Sequence, residues 1–175
     1  MNHRLFIFAV ISLLFLPVSI GFCEEGQKAA FKISSAAFEN NTYIPRKYTC
    51  DGADINPPLR IENVPPSARS LALIVDDPDA PGGVWVHWVV SNIDPSIVEI
   101  KENSVPKGGV QGQNDFGKYG YGGPCPPATH RYFFRVFALD IVLNLSARFS
   151  KSDLEKAMRG HVVAQTHLIG IYGRK

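Results

Sequence analysis

Two aspartates, two histidines and a tyrosine carry most of the chemistry that this chain can offer, and they fall in two short stretches. Asp77 and Asp79 lie in the turn DPDAP, with His87 a few residues beyond; His130 and Tyr132 open the run HRYFF directly after the loop GKYGYGGPCPP. An imidazole changes charge near neutral pH and can donate or accept at either ring nitrogen, while an ionised carboxylate only accepts. The residue types therefore admit three chemistries: anion binding by imidazole and loop N–H donors, acid–base catalysis, or metal ligation by two histidines and two aspartates. Taken singly, each residue has a plainer explanation, since a histidine in an aromatic strand is commonly a hydrogen-bonded core residue and aspartate suits a turn. Their gathering at strand ends beside a Gly/Pro loop is what points to a pocket.

The elements that must hold these groups are strands. Residues 70–76 and 132–139 are long apolar runs that read as buried strands, the second apolar on both faces. Residues 85–93 alternate, with His87 interrupting an apolar face, and 162–172 form a closing strand. Shorter strands are expected at 31–34, 43–49 and 59–61, separated by turns such as Asn56-Pro57-Pro58. Residues 94–112 are expected to cross the surface with one or two short pairings. One helix is expected at 152–159, with a capping box at Ser152–Glu155 and a stop at Gly160. Many short strands between Pro/Gly turns predict an all-β chain, an antiparallel two-sheet β-sandwich with one or two small peripheral helices.

DPDAP followed by HW, then GGPCPPATHRYFF ending in ALD, together with YTCDGADINPPL and GHVVAQTHLIGIYGR, resembles the phosphatidylethanolamine-binding protein family in its bacterial and archaeal Raf-kinase-inhibitor-like branch. The resemblance runs over essentially the whole chain after residue 30. It implies a small cavity for the phosphate of a phospholipid head group or another small anion, built from Asp77, Asp79, His87, His130 and Tyr132 with the backbone of Gly123, Pro124 and Pro126. Since carboxylates repel an anion, Asp77 and Asp79 are expected to accept from His87, His130 or loop N–H groups; a protonated ligand oxygen donating to Asp79 is the alternative. The same resemblance sets the Cys50 turn close to the pocket. There a Cys50–Cys125 disulfide would join two walls, and two semi-buried thiols are the other reading. Trp85, Trp88, Phe116, Tyr119 and Tyr121 are candidates for the pocket mouth or the core.

Residues 1–23 read as a secretory signal peptide: a basic start at Arg4, an apolar run from Leu5 to Leu16, then Pro17 and small residues. Cleavage is expected after Gly21 or Cys23, leaving one domain over 24–175 that is periplasmic or secreted and has no stable membrane anchor. The whole chain carries 18 basic and 16 acidic side chains. Losing Arg4 leaves a net charge of +1, with basic residues scattered among acids, which excludes the clustered basic surface that nucleic acid demands.

A non-catalytic binding protein for a small anion, with no cofactor and no metal, is the first expectation. An inhibitor of a protease or other protein partner acting through the pocket region is the second. A hydrolase using the His/Asp pocket is the third; the chain lacks a G-x-S-x-G elbow and an H-E-x-x-H helix.

Overall fold

A computed structural model describes residues 29–174, and the 1–23 segment lies outside these described residues. In chain order the strands are β1 (Lys32–Ser34), β2 (Thr42–Tyr43), β3 (Leu59–Glu62), β4 (Ser70–Asp77), β5 (Trp85–Ile93), β6 (Glu99–Ile100), β7 (Val110–Gln111), β8 (His130–Leu139) and β9 (Val162–Tyr172), with helix α1 (Lys151–Met158) between β8 and β9. They form a three-stranded sheet in the order β1-β3-β6 and a six-stranded sheet in the order β2-β9-β8-β4-β5-β7. The two-sheet sandwich is therefore the architecture. One ladder departs from the antiparallel expectation, because β2 runs parallel to β9.

β4 is buried along its whole length because it lies between β5 and β8 with an apolar cluster on each face. Leu71, Leu73 and Val75 join Ile33, Leu59, Ile61 and Ile100 of the small sheet in the main core. Ala72 and Ile74 face the other way, into a second cluster with Phe149, Leu154 and Met158. Burial on both faces explains why β4 reads as a continuous aliphatic run.

β8 departs from its expected two-sided burial. Tyr132, Phe134, Val136 and Ala138 enter the main core, whereas Phe133 on the opposite face is half-buried under the guanidinium of Arg135, 4.9 Å from its ring centroid. Arginine over an aromatic face replaces apolar packing there.

Two local expectations shift. Residues 43–49 are not one strand: pairing ends at Tyr43, and Arg46–Tyr48 is a 3-10 turn behind Pro45, closed by Tyr48 N–H to Pro45 O at 2.9 Å. Proline supplies no N–H for a ladder and presets a turn. The helix caps two residues before the expected serine: Ser150 Oγ accepts from Asp153 N–H, and the Asp153 carboxylate accepts from Ser150 N–H. Phe149 and Leu154, which flank this box, share the second cluster, the arrangement of a hydrophobic staple. The Gly160 stop is as expected, in left-handed backbone.

Candidate functional site

His87 owes its position to an irregularity in β5. Val75 pairs with Trp88 but Asp76 pairs with Val86, so His87 is an extra residue opposite no partner. Trp88 belongs to the main core and Val86 to the second cluster. With strict alternation His87 would share the face of Val89 in the second cluster; the bulge turns it toward Tyr132 on β8, ring centroids 5.2 Å apart and nearly perpendicular. Bulges commonly re-aim one side chain in this way.

The loop from Asn114 to Gly122 closes over that histidine. Asn114 is buried and organises it: Oδ1 accepts from Phe116 and Lys118 N–H, and Nδ2 donates to Gly120 O at 3.0 Å. Asp115 Oδ2 accepts from Val86 N–H at 2.7 Å, tying the loop to β5. Gly122 then meets His87 twice: its N–H donates to His87 O at 2.9 Å, and its carbonyl accepts from His87 Nδ1 at 2.6 Å. A carbonyl can only accept, so Nδ1 carries the hydrogen and Nε2 is the ring nitrogen left over. Burial pushes the His87 imidazole below its ordinary pKa, against the raising effect of that carbonyl.

His130 is arranged by the same logic with a different acceptor. Its Nδ1 lies 2.7 Å from Asp77 Oδ2, and both residues are buried. The other oxygen, Asp77 Oδ1, accepts from Asp79 N–H at 2.8 Å, so one carboxylate holds both the turn and the imidazole. The Tyr132 hydroxyl is buried with no hydrogen-bond partner among the described residues. Burial and the Asp77 carboxylate push that phenol well above its ordinary pKa, so it remains a donor.

Together these groups surround a cavity of about 200 Å³ lined by Asp77, His87, His130 and Tyr132, with Trp85, Phe116, Cys125, Pro126 and Pro127 among its walls. Phe116 packs edge-on against both His87 and Trp85. This is below the roughly 300–1,000 Å³ of sites for drug-sized ligands.

Three expected site residues lie elsewhere. Asp79 does not orient a histidine: Oδ2 accepts from Arg131 N–H and Nε, and Oδ1 from Nη2 at 2.7 Å. Arg131 alternates with His130 and Tyr132 along β8 and points outward, taking Asp79 with it. The pairing holds the Asp79 carboxyl down at about 2. The Gly123 N–H is used by Asp54 Oδ1, and Pro124 O accepts from Cys50 N–H. Trp88 and Tyr121 pack edge-on against each other rather than lining the cavity. Cys50 and Cys125 are joined by a disulfide, Cα atoms 5.4 Å apart. Among the described residues, no group of three or more His, Cys, Asp or Glu comes together as a metal site.

Sequence reasoning missed Gly122, Asn114 and Asp115. A backbone acceptor such as Gly122 O has no side-chain signature, while Asn114-Asp115 before Phe116-Gly117 reads only as a turn.

The comparisons agree with this architecture. The family model for phosphatidylethanolamine-binding protein matches residues 34–173. A UPF0098 protein of Pyrococcus horikoshii is 51% identical over 160 residues, covering 85% of this chain and 79% of its own. One of Methanothermobacter thermautotrophicus is 52% identical over 148 residues, covering 81% and 98%. Among solved structures, a putative phosphatidylethanolamine-binding protein homolog from Chlamydia trachomatis superposes with a TM-score of 0.80 at 43% identity, covering 83% of this chain and 99% of that one. E. coli YbcL, described as a new member of the mammalian PEBP family, gives 0.79 at 30% identity, covering 84% and 100%. A match over most of the chain, relatives near half identity and a shared fold make this chain a member of the phosphatidylethanolamine-binding protein family.

Proposed function

We propose that the cavity binds a small phosphate-bearing anion, a phosphate monoester such as a freed phospholipid head group, without turning it over. The observation that carries this reading is the shared orientation of two buried histidines. With Nδ1 committed to Gly122 O and to Asp77 Oδ2, each imidazole leaves Nε2 for the cavity. The neutral His87 ring accepts at Nε2, so the fitting ligand brings a proton to share. A phosphate monoester does so, because its second ionisation falls near pH 6; sulfate has no such proton. The Tyr132 hydroxyl supplies a further donor. Asp77, with both oxygens engaged, has an orienting role and is not offered as a base.

Titration calorimetry with phosphate, O-phosphoethanolamine and sulfate tests this. Both phosphate ligands should bind, more tightly as the pH falls from about 8 toward the imidazole range near 6.5, with sulfate much weaker. Absence of binding by either phosphate ligand overturns the reading. Hydrolysis of a phosphate ester that His87→Gln abolishes would favour the enzyme instead.

One observation favours a protein partner as the second reading. Trp85 and Phe116 in the cavity wall, with Val84 next to Trp85 in the chain, are all more than a third exposed, and such apolar rims suit protein contacts. Export rests on the apolar pattern of residues 5–16 after Arg4. Fractionation of the source cells, with N-terminal sequencing of the protein, tests it.

A further inference from the structure

We propose that the Cys50–Cys125 bond is an exchange-competent disulfide, opened by a dithiol that attacks Cys125, with Arg174 stabilising the thiolate that leaves on Cys50. Arg174 Nη2 lies 2.9 Å from Cys50 Sγ and 2.8 Å from Cys125 Sγ. The guanidinium is held there from behind: Nε donates to Asp51 Oδ2 at 3.1 Å, and the same oxygen accepts from Tyr172 OH at 2.7 Å. Arg46, whose Nε donates to Asp51 O at 2.7 Å, adds a second cation to this turn.

A disulfide sulfur is a weak acceptor, so the guanidinium gains little from the oxidised pair. It gains far more from a thiolate, because a cation beside a thiol favours the ionised form, and a better-stabilised thiolate leaves faster. The arrangement therefore favours opening of the bond over its persistence. Access agrees: as a residue Cys125 is exposed and Cys50 half-buried, which favours attack at Cys125.

In the first step the reagent thiolate bonds to Cys125 Sγ, the Sγ–Sγ bond breaks, and its electron pair leaves on Cys50 Sγ beside Arg174. In the second step the reagent's other thiol, as thiolate, attacks its own sulfur in the mixed disulfide and releases Cys125 as a thiolate. The reagent is oxidised to its internal disulfide, the protein pair takes up two electrons, and the two protons from the dithiol end on the two cysteines. Cys125 also lines the cavity, so opening the bond removes the covalent tie between that wall and the turn that carries Cys50, leaving the Cys50 N–H to Pro124 O hydrogen bond between them.

The test is reduction of the folded, full-length oxidised protein by excess dithiothreitol without denaturant, followed by alkylation of timed samples and mass spectrometry. Circular dichroism checks that the fold persists. Complete reduction in the folded state is expected, slowed about tenfold in Arg174→Ala, the scale of one charge-assisted hydrogen bond, and substantially restored in Arg174→Lys. With glutathione as a monothiol probe, peptide mapping should find the mixed disulfide on Cys125. A bond that resists reduction until denaturant is added, an unchanged or faster rate in Arg174→Ala, a lysine that restores nothing, or an adduct on Cys50 would each overturn the proposal.

Discussion

His130 Nδ1 and Asp77 Oδ2 meet at 2.7 Å between two neighbouring strands, and neither residue has more than a small fraction of its surface in water. Removing one member of a buried pair leaves the other charge or dipole without compensation, which costs more than the pair contributes. His130→Ala should therefore do more than weaken ligand binding: it should destabilise the fold by about 3–5 kcal/mol by stranding the Asp77 carboxylate. The double variant His130→Leu with Asp77→Asn should recover part of that loss. Urea denaturation reads both out, and a single variant as stable as the parent would contradict the compensating role.

His87 makes a pH prediction with a definite sign. Unfolded, its imidazole titrates near 6.5; folded, burial lowers it. Between those values the unfolded chain holds a proton that the folded chain lacks, so the neutral side chain's contribution is complete above about pH 6.5 and declines as the pH falls toward the folded pKa. The stability difference between the parent and His87→Gln should shift toward the variant as the pH is lowered from about 7.5 to 5.5 across that range. Denaturation curves at the two ends measure it, and a constant difference would count against the burial effect.

The start of α1 separates two serines. Ser150→Ala removes the cap and half of the reciprocal bonding with Asp153, an expected loss of about 1 kcal/mol. Ser152→Ala should change stability by a few tenths at most, since it sits inside the first turn. Thermal denaturation of the two variants tests the order. A larger loss at Ser152 would place the cap where the sequence pattern alone suggested.

Gly123 and Gly82 should respond oppositely to alanine. A Cβ on Gly123 would lie 2.7 Å from both Asp54 Oδ1 and Tyr48 O, and 2.8 Å from Thr49 Cα, against backbone that cannot turn aside. Gly123→Ala is expected to destabilise by about 1–3 kcal/mol. Gly82 has open space around its Cβ position and no positive φ, so Gly82→Ala should be neutral or slightly stabilising through the unfolded chain. Equal effects at the two positions would show that the loop holding Gly123 adapts.

The sequence by itself determined the strands at the centre of this protein and the residue types around its cavity. Ser70–Asp77 and Val162–Tyr172 are legible because aliphatic and β-branched runs bounded by turn residues have few alternatives to a buried ladder. Asp77, His130 and Tyr132 were legible because the DPDAP and HRY motifs set them near strand ends, and His87 because it precedes Trp88 and interrupts an apolar strand face. Only the tertiary structure decided which way each of them faces. A single extra residue in β5 turns His87 out of the alternation that its sequence implies, and register belongs to the pairing of two strands rather than to either one. Asp79 left the cavity for the same kind of reason: Arg131 follows the pleat outward and its two-pronged guanidinium carries the aspartate along. The acceptor that sets the His87 tautomer is a backbone carbonyl, which every residue possesses. Its choice became visible only once Asn114 and Asp115 had folded the loop back onto β5.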